Sequence, residues 1–313
     1  MQKSNLKHKT KLFIVCGPTA IGKSRVAVEL AKVCNAEIIG ADALQIYRGL
    51  DIGTGKITPE ETCGIAHHMI DIVNPDDTYS VDSYIRDVRK AIASIARLGK
   101  NCILVGGTGF YINALTQGFN LAEVAPDLTL RKKYQALADE KGGVHLHKLL
   151  TALDPQSAQK ISNNDIKRII RALEIVELTG STKSERVNVV EESDFDVLQV
   201  VLTAERSVLY NRINARVDQM FDNGLEQEVR GLATYRNNQS MQAIGYKELL
   251  GYFDGDMSLE MAVDKIKQHS RNYAKRQMTY FRWMKVENKI FMDVEEVNFL
   301  ENIKKLTLDF FCK

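Results

Sequence analysis

The sequence lacks the cysteine patterns and the long apolar runs that mark several classes of protein. Its five cysteines are scattered, and none follows another at the CxxC spacing of a zinc-ribbon or redox motif. An odd, scattered set of thiols is typical of a reducing compartment. The basic N-terminal segment leads into an apolar stretch at residues 12–16, which is too short for a signal peptide or a membrane span. We therefore expect a cytoplasmic, monomeric protein with no membrane partner.

The chain also lacks a strong excess of charge of one sign. Its 42 Lys and Arg residues nearly balance its 40 Asp and Glu residues, which leaves a net charge of +2. Any nucleic-acid affinity must therefore come from local clustering of basic side chains. A length of 313 residues with 44% hydrophobic residues is enough for one large or two smaller domains with real cores.

Short apolar segments alternate with amphipathic ones in the first third of the chain. Residues 12–16, 37–40 and 102–105 are predicted to be buried strands. Apolar side chains recur at helical spacing after Lys23 and between Ser80 and Gly99, and Thr58 with Pro59 predicts another helix start. Strands that alternate with helices indicate a parallel sheet.

The pattern changes after about residue 118, where polar and helical features dominate. Two further strands are predicted at residues 198–202 and 290–292. We therefore predict an α/β fold, with a P-loop NTPase-like parallel sheet core that is split by a helical insertion domain. The predicted parts are residues 1–117 (first part of the core), 118–195 (insertion domain) and 196–313 (second part of the core, with basic C-terminal helices).

A phosphate-binding motif lies between the first predicted strand and helix. Residues 17–24 fit the pattern GxxxxGK[ST] without a mismatch. The N–H groups of such a loop point at an anion, and the following helix adds the positive end of its dipole. Lys23 adds a full charge, and the Ser24 hydroxyl is a candidate Mg²⁺ ligand. The predicted diphosphate-binding residues are Gly17, Pro18, Thr19, Ala20, Ile21, Gly22, Lys23 and Ser24.

Other features depart from those of nucleotide hydrolases. The sequence has no NKxD-type base-reading motif, and the strand at residues 102–105 ends in Gly106, Gly107 and Thr108 rather than in a Walker-B acid. The carboxylate suitably placed after a strand is Asp42, whose strand we expect to neighbour the phosphate-loop strand. These departures indicate a diphosphate ligand that is not hydrolysed in the ordinary way.

Several more blocks accompany the phosphate loop in a fixed order along the chain. They are residues 42–55, 67–71, 106–111, 164–174, 212–220, 242–248 and 274–282. Together with the loop, these blocks closely resemble the tRNA dimethylallyltransferase family, also called tRNA isopentenyltransferases. The sequence departs from the family at Ala43, where serine usually follows the aspartate, and at Gly109 and Phe110, where other bulky apolar pairs are common.

The resemblance implies a specific reaction. The family transfers a dimethylallyl group from dimethylallyl diphosphate to N6 of adenosine 37 in tRNAs that read codons beginning with U, and Mg²⁺ assists. It implies Asp42 as the proton acceptor, Thr108 as a hydrogen-bonding partner, and Lys23 with Arg216 as cations for the departing diphosphate. The residues alone leave alternatives open, because Asp42 could cap a helix and Arg216 could be a solvated side chain, with Arg212 as a weaker candidate.

A basic segment near the C-terminus suggests an RNA surface. Residues 265–285 contain seven Lys or Arg residues and no Asp or Glu, with aromatic residues interleaved. A smaller basic group lies at residues 167–171. The residues predicted to bind the tRNA anticodon stem-loop are Asp42, Ala43, Leu44, Gln45, Thr108, Arg131, Lys167, Arg168, Ile169, Ile170, Arg171, Gln242, Ala243, Ile244, Gly245, Tyr246, Lys247, Lys275, Arg276 and Arg282.

Three other functions share some of these features. A P-loop small-molecule kinase would use the same loop and core but would have little need of the basic segment at residues 265–285. An adenylate prenyltransferase would not need the basic group at residues 167–171. A non-catalytic RNA-binding protein would keep its function after loss of Asp42. The histidines at positions 67, 68, 145 and 147 are not spaced as a convincing metal site.

Overall fold

A computed structural model describes residues 9–117, 124, 126–187 and 194–312. The chain forms two compact units. The core unit comprises Met1–Thr116 and Asp194–Lys313, and the inserted unit comprises Gln117–Ser193. The predicted boundary at residue 118 lies outside the described residues. Within those residues, no helix is both long and apolar enough to cross a bilayer.

Six parallel strands form the sheet of the core unit. They are β1 (Thr10–Cys16), β2 (Ala36–Gly40), β3 (His67–His68), β4 (Asn101–Gly106), β5 (Phe195–Thr203) and β6 (Lys289–Asp293), in the order β3-β2-β4-β1-β5-β6. The parallel α/β fold and the five strands predicted from apolar runs are confirmed. The two residues of β3 are too few to give a strand pattern in the sequence.

The described residues form thirteen α-helices. They are α1 (Lys23–Cys34), α2 (Val81–Arg97), α3 (Gly109–Thr116), α4 (Leu128–Lys141), α5 (Gly143–Leu153), α6 (Pro155–Lys160), α7 (Ile166–Thr179), α8 (Lys183–Val187), α9 (Arg206–Asp222), α10 (Leu225–Gly231), α11 (Tyr246–Phe253), α12 (Leu259–Trp283) and α13 (Phe299–Cys312). Ser80 caps α2 as predicted, because its side chain accepts a hydrogen bond from Ser83 N. The apolar face of α2 is buried against the sheet.

We expected the strand before Asp42 to be adjacent to the strand before the phosphate loop, and this prediction is wrong. Both β1 and β2 pair with β4, since Ile103 of β4 is in register with Phe13 on one side and Ile38 on the other. The strands are parallel, so their carboxyl ends still meet at one edge of the sheet. The turn after β4 therefore lies between Asp42 and the phosphate loop.

The helix predicted to start at Thr58 is also absent, because residues 59–64 form turns. Thr58 and Glu61 exchange the two hydrogen bonds of a capping box, at 3.0 and 3.3 Å. The backbone then turns left-handed at Cys63 and Gly64, with φ values of 50° and 78°, which ends the helical turn at once.

The inserted unit has its own helical core. Its helices α4 to α7 bury apolar side chains that include Leu146, Leu150 and Leu173. Two carboxylates among the described residues of the unit, Asp154 and Glu174, are fully buried, and Glu174 accepts hydrogen bonds from Arg131 at 2.8 and 3.0 Å and from Arg171. A buried carboxylate needs such partners, so both arginines help to hold the inserted unit together.

Candidate active site

The phosphate loop of the core unit joins β1 to α1 in the predicted conformation. Gly17 passes close to β5, and a Cβ there would lie 2.8 Å from Leu202 O. Gly22 precedes α1 with a φ of 92°, in the left-handed region that favours glycine. The loop therefore ends at the N-terminus of α1, where free N–H groups and the helix dipole favour an anion.

A cavity of about 480 Å³ opens beside this loop. Lys23, Ser24, Asp42, Gln45 and Arg216 line it together, so the structure brings the principal predicted residues to one place. Lys23 Nζ donates to Pro18 O at 2.8 Å. Desolvation, with help from the charge of Arg216, lowers the pKa of Lys23 to about 8, although Asp42 opposes the shift.

Asp42 and Thr108 lie on adjacent turns that are hydrogen-bonded to each other. Thr108 N donates to Ala41 O, and Ala43 N donates to Thr108 Oγ1, both at 3.0 Å. The approach requires glycine at position 106, because a Cβ there would lie 2.1 Å from Ala41 O. Asp42 Oδ1 accepts from Leu44 N at 2.9 Å within a turn, so Asp42 caps no helix. Its carboxyl group is therefore held in the cavity by local backbone structure.

Arg216 is a half-buried residue of the cavity wall and not a solvated side chain. It lies on α9, where burial lowers the pKa of its guanidinium group against the opposing charge of Asp42. Its Nη2 lies 3.3 Å from Thr54 O and 3.4 Å from Gly55 O. The alternative, Arg212, faces Glu295 at 3.7 Å.

Gln45 shares those two carbonyl acceptors with Arg216. Its Nε2 donates to Thr54 O and to Gly55 O, both at 3.2 Å. The side-chain amide of Gln45, which we predicted to bind an adenine edge, is therefore already oriented by the protein. Tyr273, which we did not predict, lines the same cavity and lies beside Thr108 and Gln277, and burial raises the pKa of its hydroxyl.

Gln277 is a second residue of the site that sequence reasoning missed. This buried side chain of α12 accepts from Thr19 N at 2.9 Å and donates to Gly107 O at 3.0 Å. It thus connects the phosphate loop with the turn after β4. The available signal was helical spacing, because Gln277 shares a face with the buried residues Ala274 and Phe281.

The predicted RNA-contacting residues of the core unit differ in how far they are exposed to solvent. Lys275 and Arg276 line a groove of about 460 Å³ along α12 together with Tyr280 and Trp283, whose side chain is 74% exposed. Arg282, Gln242 and Lys247 are exposed, whereas Ala243, Gly245 and Tyr246 are buried and Leu44 and Ile244 are half-buried. Tyr246 is fully buried, so its side chain offers no surface to a ligand.

In the inserted unit, the predicted residues also divide by burial. Lys167 and Arg168 are exposed, whereas Ile169 and Ile170 belong to the apolar core. Lys183 is an unpredicted member of this basic group, because the charges of Arg168 and Arg171 help desolvation to lower its pKa. It lies at the start of α8, outside the basic block at residues 167–171.

The described residues contain no group of three or more His, Cys, Asp or Glu side chains arranged to hold a metal ion. His67 Nδ1 lies 2.8 Å from Ile65 O, and His68 Nε2 lies 2.7 Å from Glu37 Oε2. These histidines therefore have structural partners. A metal ion in the cavity would depend on Ser24 and on oxygens that a ligand brings.

The family model for IPP transferases matches residues 45–284. The chain is also 47% identical over 281 residues to the tRNA dimethylallyltransferase of Bacillus cytotoxicus, with 88% of each chain covered. The chain belongs to the tRNA dimethylallyltransferase family. A family member from Halalkalibacterium halodurans is 44% identical over 302 residues, with 95% of this chain and 96% of the relative covered.

Solved structures of the family share the fold. The tRNA isopentenylpyrophosphate transferase of Bacillus halodurans has a TM-score of 0.72 and 42% identity, with 97% of this chain and 96% of that chain covered. A eukaryotic dimethylallyltransferase, captured acting on tRNA, has a TM-score of 0.76 and 30% identity, with 91% of this chain and 74% of that chain covered.

Proposed function

We propose that this enzyme transfers a dimethylallyl group from dimethylallyl diphosphate to N6 of adenosine 37 in tRNAs that read codons beginning with U. One observation carries the proposal: the carboxylate of Asp42 shares a cavity with an anion-binding loop and with the cations Lys23 and Arg216. The loop suits a diphosphate leaving group, and the carboxylate suits an acceptor that must lose a proton. Membership of the family supports the same reaction.

On the donor side, negative charge grows on the bridging oxygen as the allylic C–O bond breaks. The loop amides, Lys23 and Arg216 are placed to stabilise that charge. Magnesium fits this site, because Mg²⁺ commonly binds one or two protein ligands together with substrate phosphates and water. Ser24 would supply the protein ligand, and the ion would add neutralising charge.

On the acceptor side, the adenine amino nitrogen forms the new C–N bond while its proton passes to Asp42. The base must leave its stack to reach the cavity, where we assign the amide oxygen of Gln45 to its edge. Thr108 supports the same edge of the site through its hydrogen bond with Ala43 N. Ala43 has no hydroxyl, so in this chain the side chain at position 43 cannot hydrogen-bond the base.

Each of the two units carries a basic surface that is proposed to contact tRNA. One is the α12 groove, where Lys275 and Arg276 can contact phosphates and the exposed Trp283 can stack on an unpaired base. The other is formed in the inserted unit by Lys167, Arg168 and Lys183. Among the alternatives, a kinase or an adenylate prenyltransferase would not require either surface.

We further propose that the enzyme works as a monomer in the cytoplasm. All five cysteines are free thiols, and Cys16, Cys34 and Cys102 are buried. Unpaired thiols suit a reducing compartment. Analytical ultracentrifugation of the protein alone and with tRNA tests the monomeric state, since the measured mass of a dimer would be twice that of one chain.

The decisive assay combines labelled dimethylallyl diphosphate, Mg²⁺ and an anticodon stem-loop that contains A36-A37-A38. We expect label in the RNA, at the base of A37. Parallel reactions with AMP as acceptor and with ATP as donor test the alternatives. Label found only in AMP, or ATP turnover without prenyl transfer, would contradict the proposed function.

A further inference from the structure

One wall of the cavity is a loop that consists of residues 51–56, which we call the 51–56 loop. Its carbonyl oxygens at Thr54 and Gly55 are the acceptors for both Gln45 and Arg216. A guanidinium group that is held by backbone carbonyls can be no better positioned than those carbonyls. The conformation of this loop therefore sets the position of Arg216.

Three consecutive backbone N–H groups of the loop are bound by one carboxylate, that of Glu228 on α10. Glu228 Oε2 accepts from Asp51 N at 3.0 Å and from Ile52 N at 2.7 Å, and its Oε1 accepts from Gly53 N at 3.0 Å. Consecutive N–H groups that converge in this way form an anion-binding nest, and hydrogen bonds to an ionised acceptor are the stronger kind. In this loop the protein fills the nest with its own side chain.

Tyr246 holds Glu228 in that position. Its hydroxyl donates to Glu228 Oε1 at 2.6 Å, and its ring is fully buried. The ring also packs closely against the loop, because a Cβ at Gly53 would lie 2.5 Å from the Tyr246 ring. A Cβ at Gly55 would lie 1.5 Å from Arg216 Nη2. The loop therefore packs closely against Tyr246 at Gly53 and against Arg216 at Gly55.

On the basis of the proposed function, we infer that Glu228 and Tyr246 are positioning residues for prenyl transfer. They act through the 51–56 loop to hold Arg216 and Gln45 in the cavity, and neither lines the cavity itself. Tyr246 thereby has a role other than the predicted contact with tRNA. A merely structural role would lower stability without a specific effect on Arg216.

The test uses Glu228→Gln, which keeps the shape of the side chain but replaces one acceptor oxygen with a donor. Glu226→Gln on the same helix is the matched control, because Glu226 pairs with Arg230 at 2.8 Å. We expect Glu228→Gln to lower the single-turnover rate constant on the order of tenfold, with an unchanged dissociation constant for the stem-loop. Glu226→Gln should react at the unaltered rate.

A double-mutant cycle with Arg216→Ala decides whether Glu228 acts through Arg216. If it does, the cost of Glu228→Gln should fall clearly below about tenfold once Arg216 is absent, because coupled residues are not additive, and Gln45 accounts for the effect that remains. Tyr246→Phe keeps the buried ring and should show the same pattern, so the test survives if Glu228→Gln fails to fold. Full additivity, or equal rates for the Glu228 and Glu226 variants, would overturn the inference. Absence of transfer by the unaltered enzyme would instead contradict the proposed function.

Discussion

Lys23 shows how a single residue of the site is tuned before any ligand arrives. Burial of its ammonium group, and to a smaller extent the charge of Arg216, lowers its pKa to about 8. An incoming diphosphate favours the charged form of the lysine, so the pKa rises when the donor binds. Binding of the donor is therefore linked to a proton at Lys23.

The pH dependence of donor binding follows from this linkage. Below pH 8, Lys23 already carries its proton and affinity should be constant. Above pH 8, binding must take up a proton, so affinity should fall by up to about tenfold per pH unit. Calorimetry between pH 7 and pH 9.5, in buffers of different ionisation enthalpy, should show proton uptake only in the upper range. Affinity that stays constant to pH 9.5 would show that Lys23 is not the group that meets the diphosphate.

The role of Asp42 is tested by Asp42→Asn, which can still accept the hydrogen bond from Leu44 N. The amide cannot take a proton from adenine, so the transfer rate should fall by about 10² to 10⁴. Affinity for the donor and for the stem-loop should stay within about twofold, as measured by calorimetry and fluorescence anisotropy. A variant that transfers at nearly the normal rate would exclude Asp42 as the proton acceptor.

At the scale of elements, the sequence located strand ends well but not the contacts between distant elements. The apolar runs predicted β1, β2 and β4, and the position of Asp42 and Thr108 after two of them placed both at the site. The order of the strands was not predictable in this way, because a buried run carries no information about its neighbours. Gln277 and Glu228 were missed because the loops that they bind lie more than 150 residues away in the chain, where local patterns give no signal.

The contact between α12 and the phosphate loop gives a prediction at this scale. Gln277→Ala leaves Thr19 N and Gly107 O without their partner, which should lower the free energy of unfolding by about 1–3 kcal/mol and weaken donor binding. Thr279→Ala, on the exposed face of the same helix, is the control and should change stability by less than about 0.5 kcal/mol. Chemical denaturation measures both variants. Equal stability of the two would mean that Gln277 does not hold the loop.

At the scale of the whole molecule, RNA binding depends more on where the charges lie than on the net charge. The net charge is +2, yet Lys275 and Arg276 share one groove on α12. Contacts between such side chains and phosphates release counterions, which makes RNA binding steeply dependent on salt. The donor is a small molecule, and its binding in the cavity does not displace the counterions of a nucleic acid.

This separation predicts how the two binding events respond to salt. Replacing both Lys275 and Arg276 by alanine should reduce the slope of log affinity against log salt concentration by about 1.4 for a single-stranded target. Donor affinity should not change. Filter binding of the stem-loop across a salt series, next to calorimetry with the donor, tests both statements. An unchanged slope would place the RNA elsewhere on the protein.

The central claim is that residues 17–24 hold the departing diphosphate while Asp42 takes a proton from the adenine amino group. A crystal structure with a non-cleavable thiodiphosphate analogue of the donor and the anticodon stem-loop tests it most directly. We predict the diphosphate within the loop, beside Lys23 and Arg216, and the Asp42 carboxylate about 3 Å from adenine N6. A diphosphate bound at another site, or an Asp42 carboxylate directed away from the base, would contradict the account.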